Sequence, residues 1–216
     1  MPLGLLGGGF DSSGAAADEF DDWYDTEHIP ERMRIPGFLN AVRWIGVSNP
    51  RISLAIYDLE SLDVLKKPEY RAVSPENFSP WSKRILLGKC TRLCRFNCVQ
   101  MGAGDQVAPE KGTGLFVVAF NSAAEFEPGL DRWIETEHLP RLAAVPGVLR
   151  ARWFKTPADS PGSSSHKHVV TCHLDSPSIC DSPAWGAALE GEGMHEMRRH
   201  MKDILPLALR RYTRRA

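Results

Sequence analysis

The sequence predicts an α+β fold that is built twice within one chain: two tandem β-α-β-β-α-β units whose sheets pack face to face. Two observations carry this prediction. The first is an internal repeat. Residues 23–44, WYDTEHIPERMRIPGFLNAVRW, match residues 133–154, WIETEHLPRLAAVPGVLRARWF, at a constant offset of 110, with 9 of 22 positions identical. The match resumes between residues 56–72 and 171–187 at an offset of 115, where Leu59/Leu174, Ser61/Ser176, Pro68/Pro183 and Ala72/Ala187 are identical and Tyr70 faces Trp185. The extra five residues fall in 156–166, TPADSPGSSSH, a loop by composition. The second observation is that each copy shows the same order of strand-like and helix-like patterns.

Residues 3–10 and 115–120 are short apolar runs and read as first strands. Residues 15–28 and 126–138 carry apolar positions at helical spacing, and Pro30 and Pro140 are expected to end those helices, because the residue before a proline is pushed out of the α region. Pro-Gly at 36–37 and 146–147 marks turns. Residues 38–45 and 148–154 read as second strands, and 53–59 and 168–174 as third strands. Short helices follow around 62–70 and 184–201, and residues 89–99 and 205–212 close each unit. This order is the ferredoxin-like motif. One such sheet has helices on one face and leaves the other bare. Two tandem repeats can bury both bare faces against each other as a pseudo-twofold α+β barrel. The units are expected to span residues 1–104 and 112–216, joined through the Gly-rich, polar stretch 101–113.

Composition narrows the function classes. With 216 residues, 43% hydrophobic and 25% charged, the chain can bury a core without staples. Lysine plus arginine is 26 against 27 acidic residues, so the basic surplus of a nucleic-acid binder is absent. No apolar run reaches the roughly 18 residues of a spanning helix. The first ten residues lack the basic n-region of a secretory signal. Five cysteines in no common framework read as reduced thiols. The expectation is a cytoplasmic protein with no nucleic-acid or membrane partner, and a homodimer of such chains is compatible with the fold.

The chemistry concentrates on the first helix of each copy. On a wheel of about 100° per residue, Trp23, Tyr24 and Glu27 fall on the face of Phe20, with His28 at its edge. Leu130, Trp133, Ile134, Glu137 and His138 take the same places in the second copy. A carboxylate on an apolar face near a helix C-terminus needs a cation or donor, or its pKa rises. Two roles are open for these residues. His28 and Glu27 could face a cleft between helix and sheet as acid, base or ligand anchor. Alternatively, the imidazole could cap the helix end while Glu27 pairs with an arginine such as Arg43.

The pattern Phe20-x-x-Trp23-Tyr24-x-x-x-His28-x-Pro30 resembles the signature helix of EthD-like proteins in the dimeric α+β barrel superfamily. The second copy, with Leu130, Trp133, Ile134, His138 and Pro140, is similar but lacks the tyrosine. The resemblance covers nearly the whole chain as two fused units. It implies a pocket between helices and sheet for a hydrophobic, often aromatic, small molecule. The superfamily includes cofactor-free monooxygenases, polyketide cyclases, lactone isomerases, haem-degrading enzymes and accessory proteins. It implies His28, Tyr24 and His138, with Glu27, as candidate acid/base or orienting groups. Trp23, Trp133, Glu137 and Trp81 are candidate ligand contacts, Trp81 because it sits in an extension able to cover the first pocket. Ile134 in place of tyrosine implies that the two pockets are not equivalent.

Other signals point elsewhere. His195 and His200 are five apart, which places them about 140° from each other on a helix, the wrong spacing for a zinc pair. His168 and Cys172 would share one strand face while His173 points to the other. Cys90, Cys94 and Cys98 read as small buried hydrophobes on one strand face. Residues 4–9, GLLGGG, lack the dinucleotide-loop order. The basic end, Arg210 to Arg215, reads as a last strand and tail. The expected function is therefore a metal- and nucleotide-independent enzyme of monooxygenase, cyclase or isomerase type on an aromatic or polyketide-like compound, with no cofactor. The alternatives are a non-catalytic binder with the same pocket and, behind both, a haem-handling protein with an axial histidine.

Overall fold

The computed structural model describes residues 1–102, 104–162 and 164–214, so Arg215 of the basic end lies outside the described residues. In the first half, β1 (Gly4–Asp11) lies between β3 (Ile52–Leu59) and β4 (Thr91–Gln100), and β2 (Val42–Gly46) flanks β3. In the second half, β5 (Gly114–Ser122) lies between β7 (His168–Leu174) and β8 (Met201–Arg211), and β6 (Val148–Lys155) flanks β7. Every pair is antiparallel. The two sheets do more than face each other: β2 pairs with β8 and β4 with β6, which closes an eight-stranded barrel. Closure leaves no unpaired edge.

Alternation along the strands divides the core into three. Inward residues, among them Leu54, Ile56, Phe96, Leu115, Val117 and Phe154, fill the barrel. The glycine run of β1 serves this packing. A Cβ on Gly7 would stand 2.6 Å from the Phe96 ring and one on Gly9 2.5 Å from Cys94 Sγ, so the inward side chains of β4 lean across it. Outward residues of the first half, such as Leu6, Phe10 and Tyr57, meet Phe20, Trp23, Tyr24 and Ile85. Outward residues of the second half, such as Phe120, Val170 and Cys172, meet Leu130, Ile134 and Trp185.

The first helix of each copy corrects one expectation. α1 (Ala17–Trp23) does not stop at Pro30 but continues through a π turn, Tyr24–His28, into α2 (Ile29–Met33). α5 (Glu127–Trp133) continues in the same way through Ile134–His138 into α6 (Leu139–Ala143). The Ile29 N–H donates to Tyr24 O, and the Leu139 N–H to Ile134 O, each five residues back. Each proline then occupies the first turn after the wide one, a position where its missing N–H and fixed φ are tolerated. The first outer core is covered by α3 (Pro68–Arg71) and α4 (Pro80–Gly88). The second is covered by α7 (Pro183–Leu189) and α8 (Glu192–Arg198), which replace the single helix expected over 184–201. Residues from Met201 onward extend β8 instead.

One buried ion pair crosses the barrel between the halves. Asp58 Oδ1 accepts from Arg152 Nη1 at 2.7 Å, with both side chains fully buried. Asp58 Oδ2 accepts from Asn40 Nδ2 (2.8 Å) and from the backbone N–H of Ala108 (2.6 Å). Arg152 Nη2 donates to His173 Nε2 at 3.1 Å, and Nη1 also reaches Gln106 O at 3.0 Å. The pair therefore ties both halves to the connecting segment. Breaking a buried pair leaves a charge uncompensated. Asp58→Asn is expected to cost about 3–5 kcal/mol in denaturant unfolding, and adding Arg152→Met is expected to restore most of it. Equal losses in the single and double variants would contradict this.

Candidate functional site

The wide turn decides which side chains of the first helix face the sheet. A regular wheel places Glu27 near the centre of the apolar face and His28 at its rim. The structure reverses them: His28 is 7% exposed and Glu27 is half-buried. Glu27 Oε1 accepts from Ser79 Oγ at 2.6 Å and from Ser82 Oγ at 2.8 Å, and Ser82 Oγ accepts from Trp23 Nε1 at 3.0 Å. Ser79 is the N-cap of α4. Glu27 and Trp23 thus fasten the start of α4 over the first outer core. Arg43 does not pair with Glu27. It reaches Asp21 at 2.6 Å and packs over the rings of Phe20, Tyr24 and Tyr212.

His28 packs between its neighbours' rings, with Trp23 at 4.3 Å and Tyr24 at 5.1 Å between centroids. It also lines an enclosed cavity of about 30 Å³ between helix and sheet, together with Tyr24, Arg32, Tyr57, Tyr70 and Arg95. Leu6, Phe10, Phe78 and Leu86 supply its apolar walls, and Gly8 forms part of its floor. Tyr24 Oη, Tyr57 Oη and His28 Nδ1 are buried and have no hydrogen-bond partner among the described residues. Each such group costs on the order of 1–3 kcal/mol when left unpaired. All three belong to residues that line this one cavity.

The surrounding groups are fixed. Arg32 donates to His28 O (3.0 Å) and Val73 O (3.1 Å). Arg95 donates to Tyr70 Oη (2.6 Å) and Asn97 Oδ1 (3.0 Å). Burial holds the His28 imidazole well below the usual histidine range, and the Arg32 and Arg95 cations push the same way. Burial also raises the Tyr24 phenol, and takes that of Tyr57 up to about 12. At neutral pH the cavity therefore presents two phenolic donors and a neutral imidazole.

The second half keeps the histidine and loses the rest. At the same offsets Tyr24 becomes Ile134, Arg32 becomes Leu142, Tyr57 becomes Cys172 and Tyr70 becomes Trp185. Val118 stands where Gly8 stands, and Pro206, its ladder neighbour, takes the place of Arg95. His138 is 4% exposed and stacks on Trp133 at 4.5 Å, and burial lowers its pKa to about 4. Trp133 Nε1 lies against Gly193, where a Cβ would approach to 2.4 Å, with Glu137 beside it. Trp81 packs against the first outer core without lining the cavity.

Arg32, Tyr57 and Arg95 belong to no motif that marks them in the sequence, although the replacement of Tyr57 by Cys172 in the repeat is a signal. His168 stacks on Phe120 at 5.0 Å between ring centroids. Among the described residues, no group of three or more His, Cys, Asp or Glu side chains is placed to hold a metal ion. Nor is any helix long and apolar enough to cross a membrane.

Solved structures share this architecture across almost the full chain. An anthrone oxidase-like protein superposes with a TM-score of 0.67 at 13% identity, covering 98% of this chain and 92% of its own. The chain has the dimeric α+β barrel fold, closed here within one polypeptide. Chlorite dismutase from Candidatus Nitrospira defluvii matches this barrel with a TM-score of 0.60 at 10% identity, covering 98% and 91%. A provisionally assigned monooxygenase from Lactobacillus acidophilus NCFM matches it with a TM-score of 0.60 at 10% identity, covering 99% and 95%. No family model and no curated protein matches the barrel by sequence.

The buried histidines give this barrel an acid-sensitive fold. Burial lowers His28, takes His138 and His168 to about 4, and takes His173 to about 3. Each is neutral when folded, while the unfolded chain takes up protons near pH 6.5, so the unfolded state binds more protons on acidification. Stability is expected to be full above pH 6.5 and to fall as the pH drops toward these folded values. Melting temperatures between pH 7.5 and 4.5 check this, and a rise on acidification would contradict it.

Proposed function

We propose that the first-half cavity binds an aromatic or polyketide-like small molecule and promotes proton transfer on it without metal or nucleotide, as an EthD-like member of this fold. The observation that carries the proposal is that Tyr24, Tyr57 and His28 line one cavity and that Tyr24 Oη, Tyr57 Oη and His28 Nδ1 are buried, each without a partner among the described residues. The neutral imidazole accepts a proton from an acidic phenol or an enolisable carbon. The electron pair that is left spreads onto the adjoining substrate oxygen. Two phenolic donors then face that developing oxyanion from fixed positions, with the Arg32 and Arg95 cations nearby. The anthrone oxidase-like and monooxygenase-type neighbours support a substrate of this class. The five unpaired cysteines support a reducing, cytoplasmic setting.

A haem does not fit the residues present. The His28 ring is packed against the rings of Trp23 and Tyr24, and the core beside His138 is filled by Leu130, Ile134, Leu142 and Trp185. A non-catalytic binder would use the same first-half pocket and differ only in turnover.

Two variants test the proposal. Gly8→Val copies Val118 of the second half into the cavity floor, where a Cβ meets only Phe10 Cε2 at 3.4 Å. His28→Gln removes the imidazole. Phenols, quinones, lactones and short polyketides are screened by thermal shift, followed by deuterium exchange into the bound compound. At least one class is expected to raise the melting temperature of the wild type by mass action. Gly8→Val is expected to abolish that response while leaving the ligand-free protein folded. His28→Gln is expected to slow exchange by about 10²–10⁴-fold. A ligand response that survives Gly8→Val would place binding elsewhere. Binding without any exchange would leave the accessory-protein alternative.

A further inference from the structure

Resting on that proposal, we infer that the ligand is an organic anion: an aromatic or polyketide-like carboxylate whose ring enters the cavity and whose carboxylate is held by Arg95 and Arg92 at its mouth. The enclosed cavity is far smaller than the roughly 300–1,000 Å³ of small-molecule sites. It is not isolated, however. Tyr70, Pro75, Arg92 and Arg95 line it on one side and on the other side line an open groove of about 470 Å³. The four form a partition between a ligand-sized entrance and the polar interior. Tyr70 and Pro75 stand outside the barrel strands, on the four-residue α3 and a three-residue turn.

The charge of the groove is one-sided. It is lined by Lys66, Arg71, Arg92 and Arg95 against a single carboxylate, Glu76. Lys66 is paired with Asp63 at 2.7 Å, and Glu76 accepts from Ser74 Oγ at 2.6 Å. Among the described residues, the ion pairs of the chain include none to Arg71, Arg92 or Arg95. Arg95 is half-buried and contacts only neutral groups through its described bonds, to Tyr70 and Asn97. A desolvated guanidinium favours a carboxylate, which its planar fork matches in two bonds.

The two halves again separate function from scaffold. Pro206 stands at the ladder position of Arg95, and Leu142 at the repeat position of Arg32, so the Arg32 and Arg95 cations and the polar cavity occur together in the first half only. The insertion in the second copy also belongs here. Its Pro161 and Gly162 line the groove, and Asn97 Nδ2 donates to Pro161 O at 2.7 Å. Pro161 and Gly162 thus contribute to the rim of the entrance from the opposite half.

Matched pairs test the charge separately from the cavity. Isothermal titration compares 1-hydroxy-2-naphthoate with 1-naphthol, and 9-anthracenecarboxylate with 9-anthracenemethanol, at low and high salt. The account predicts at least one carboxylate bound tenfold or more tightly than its neutral partner, with the preference shrinking in salt. Arg92→Gln and Arg95→Gln should each weaken the carboxylate more than its neutral partner and bring the preference within threefold. Gly8→Val should abolish both. A neutral partner bound as tightly as its carboxylate overturns the anion inference and leaves the cavity proposal standing. A carboxylate that still binds Gly8→Val with the same arginine dependence overturns the cavity proposal and the ring placement. If no member of either pair binds, both fall.

Discussion

The hydrogen bond from the Ile29 N–H to Tyr24 O spans five residues, and the rest of the site depends on that extra residue. A regular turn would present Glu27 to the sheet and leave His28 at the margin. The wide turn buries the imidazole and moves the carboxylate outward to the N-terminus of α4, where two serine hydroxyls satisfy it. It also lets the helix carry Pro30 without breaking, so Arg32 follows one turn later with its guanidinium against His28 O. Wide turns of this kind are frequent at functional sites, since they re-aim side chains that regular spacing cannot bring together.

The two halves have the same backbone devices and different linings. Both have the π turn, the proline after it and a histidine ring packed against a tryptophan. These shared features belong to the fold: they hold a helix on the outer face of a closed barrel. The features found once are Tyr24, Tyr57, Tyr70, Arg32, Arg95 and the open floor at Gly8. In the second half the corresponding positions are Ile134, Cys172, Trp185, Leu142, Pro206 and Val118, and hydrocarbon or sulfur fills the space. Buried polar groups are costly without partners. Their persistence in one half alone marks that half as the one shaped around a ligand.

Much of this fold was legible in the sequence, because the repeat fixes equivalent positions and strand order follows from the pattern within each copy. The bounds of β7, His168–Leu174, coincide with the third strand expected there. The exchange of Glu27 and His28 was not legible, because a helical wheel assumes uniform turns and no composition rule flags a five-residue hydrogen bond. Arg95 was not legible either. It reaches the cavity only through the pairing of β4 with β1 opposite Gly8, and β4 carries none of the repeated residues that anchored the comparison. The edge pairing that closes the barrel, and with it the buried Asp58–Arg152 pair, joins residues 94 positions apart and depends on the docking of two sheets.

The central claim is that a ligand meets His28 and not its counterpart His138. Long-range proton–nitrogen correlation spectra resolve the two imidazoles and report both tautomer and contact. Titration with 1-hydroxy-2-naphthoate is predicted to shift the His28 ring nitrogens in the wild type, to leave those of His138 in place, and to shift neither in Gly8→Val. Equal movement of both histidines, or movement of His138 alone, would contradict the account.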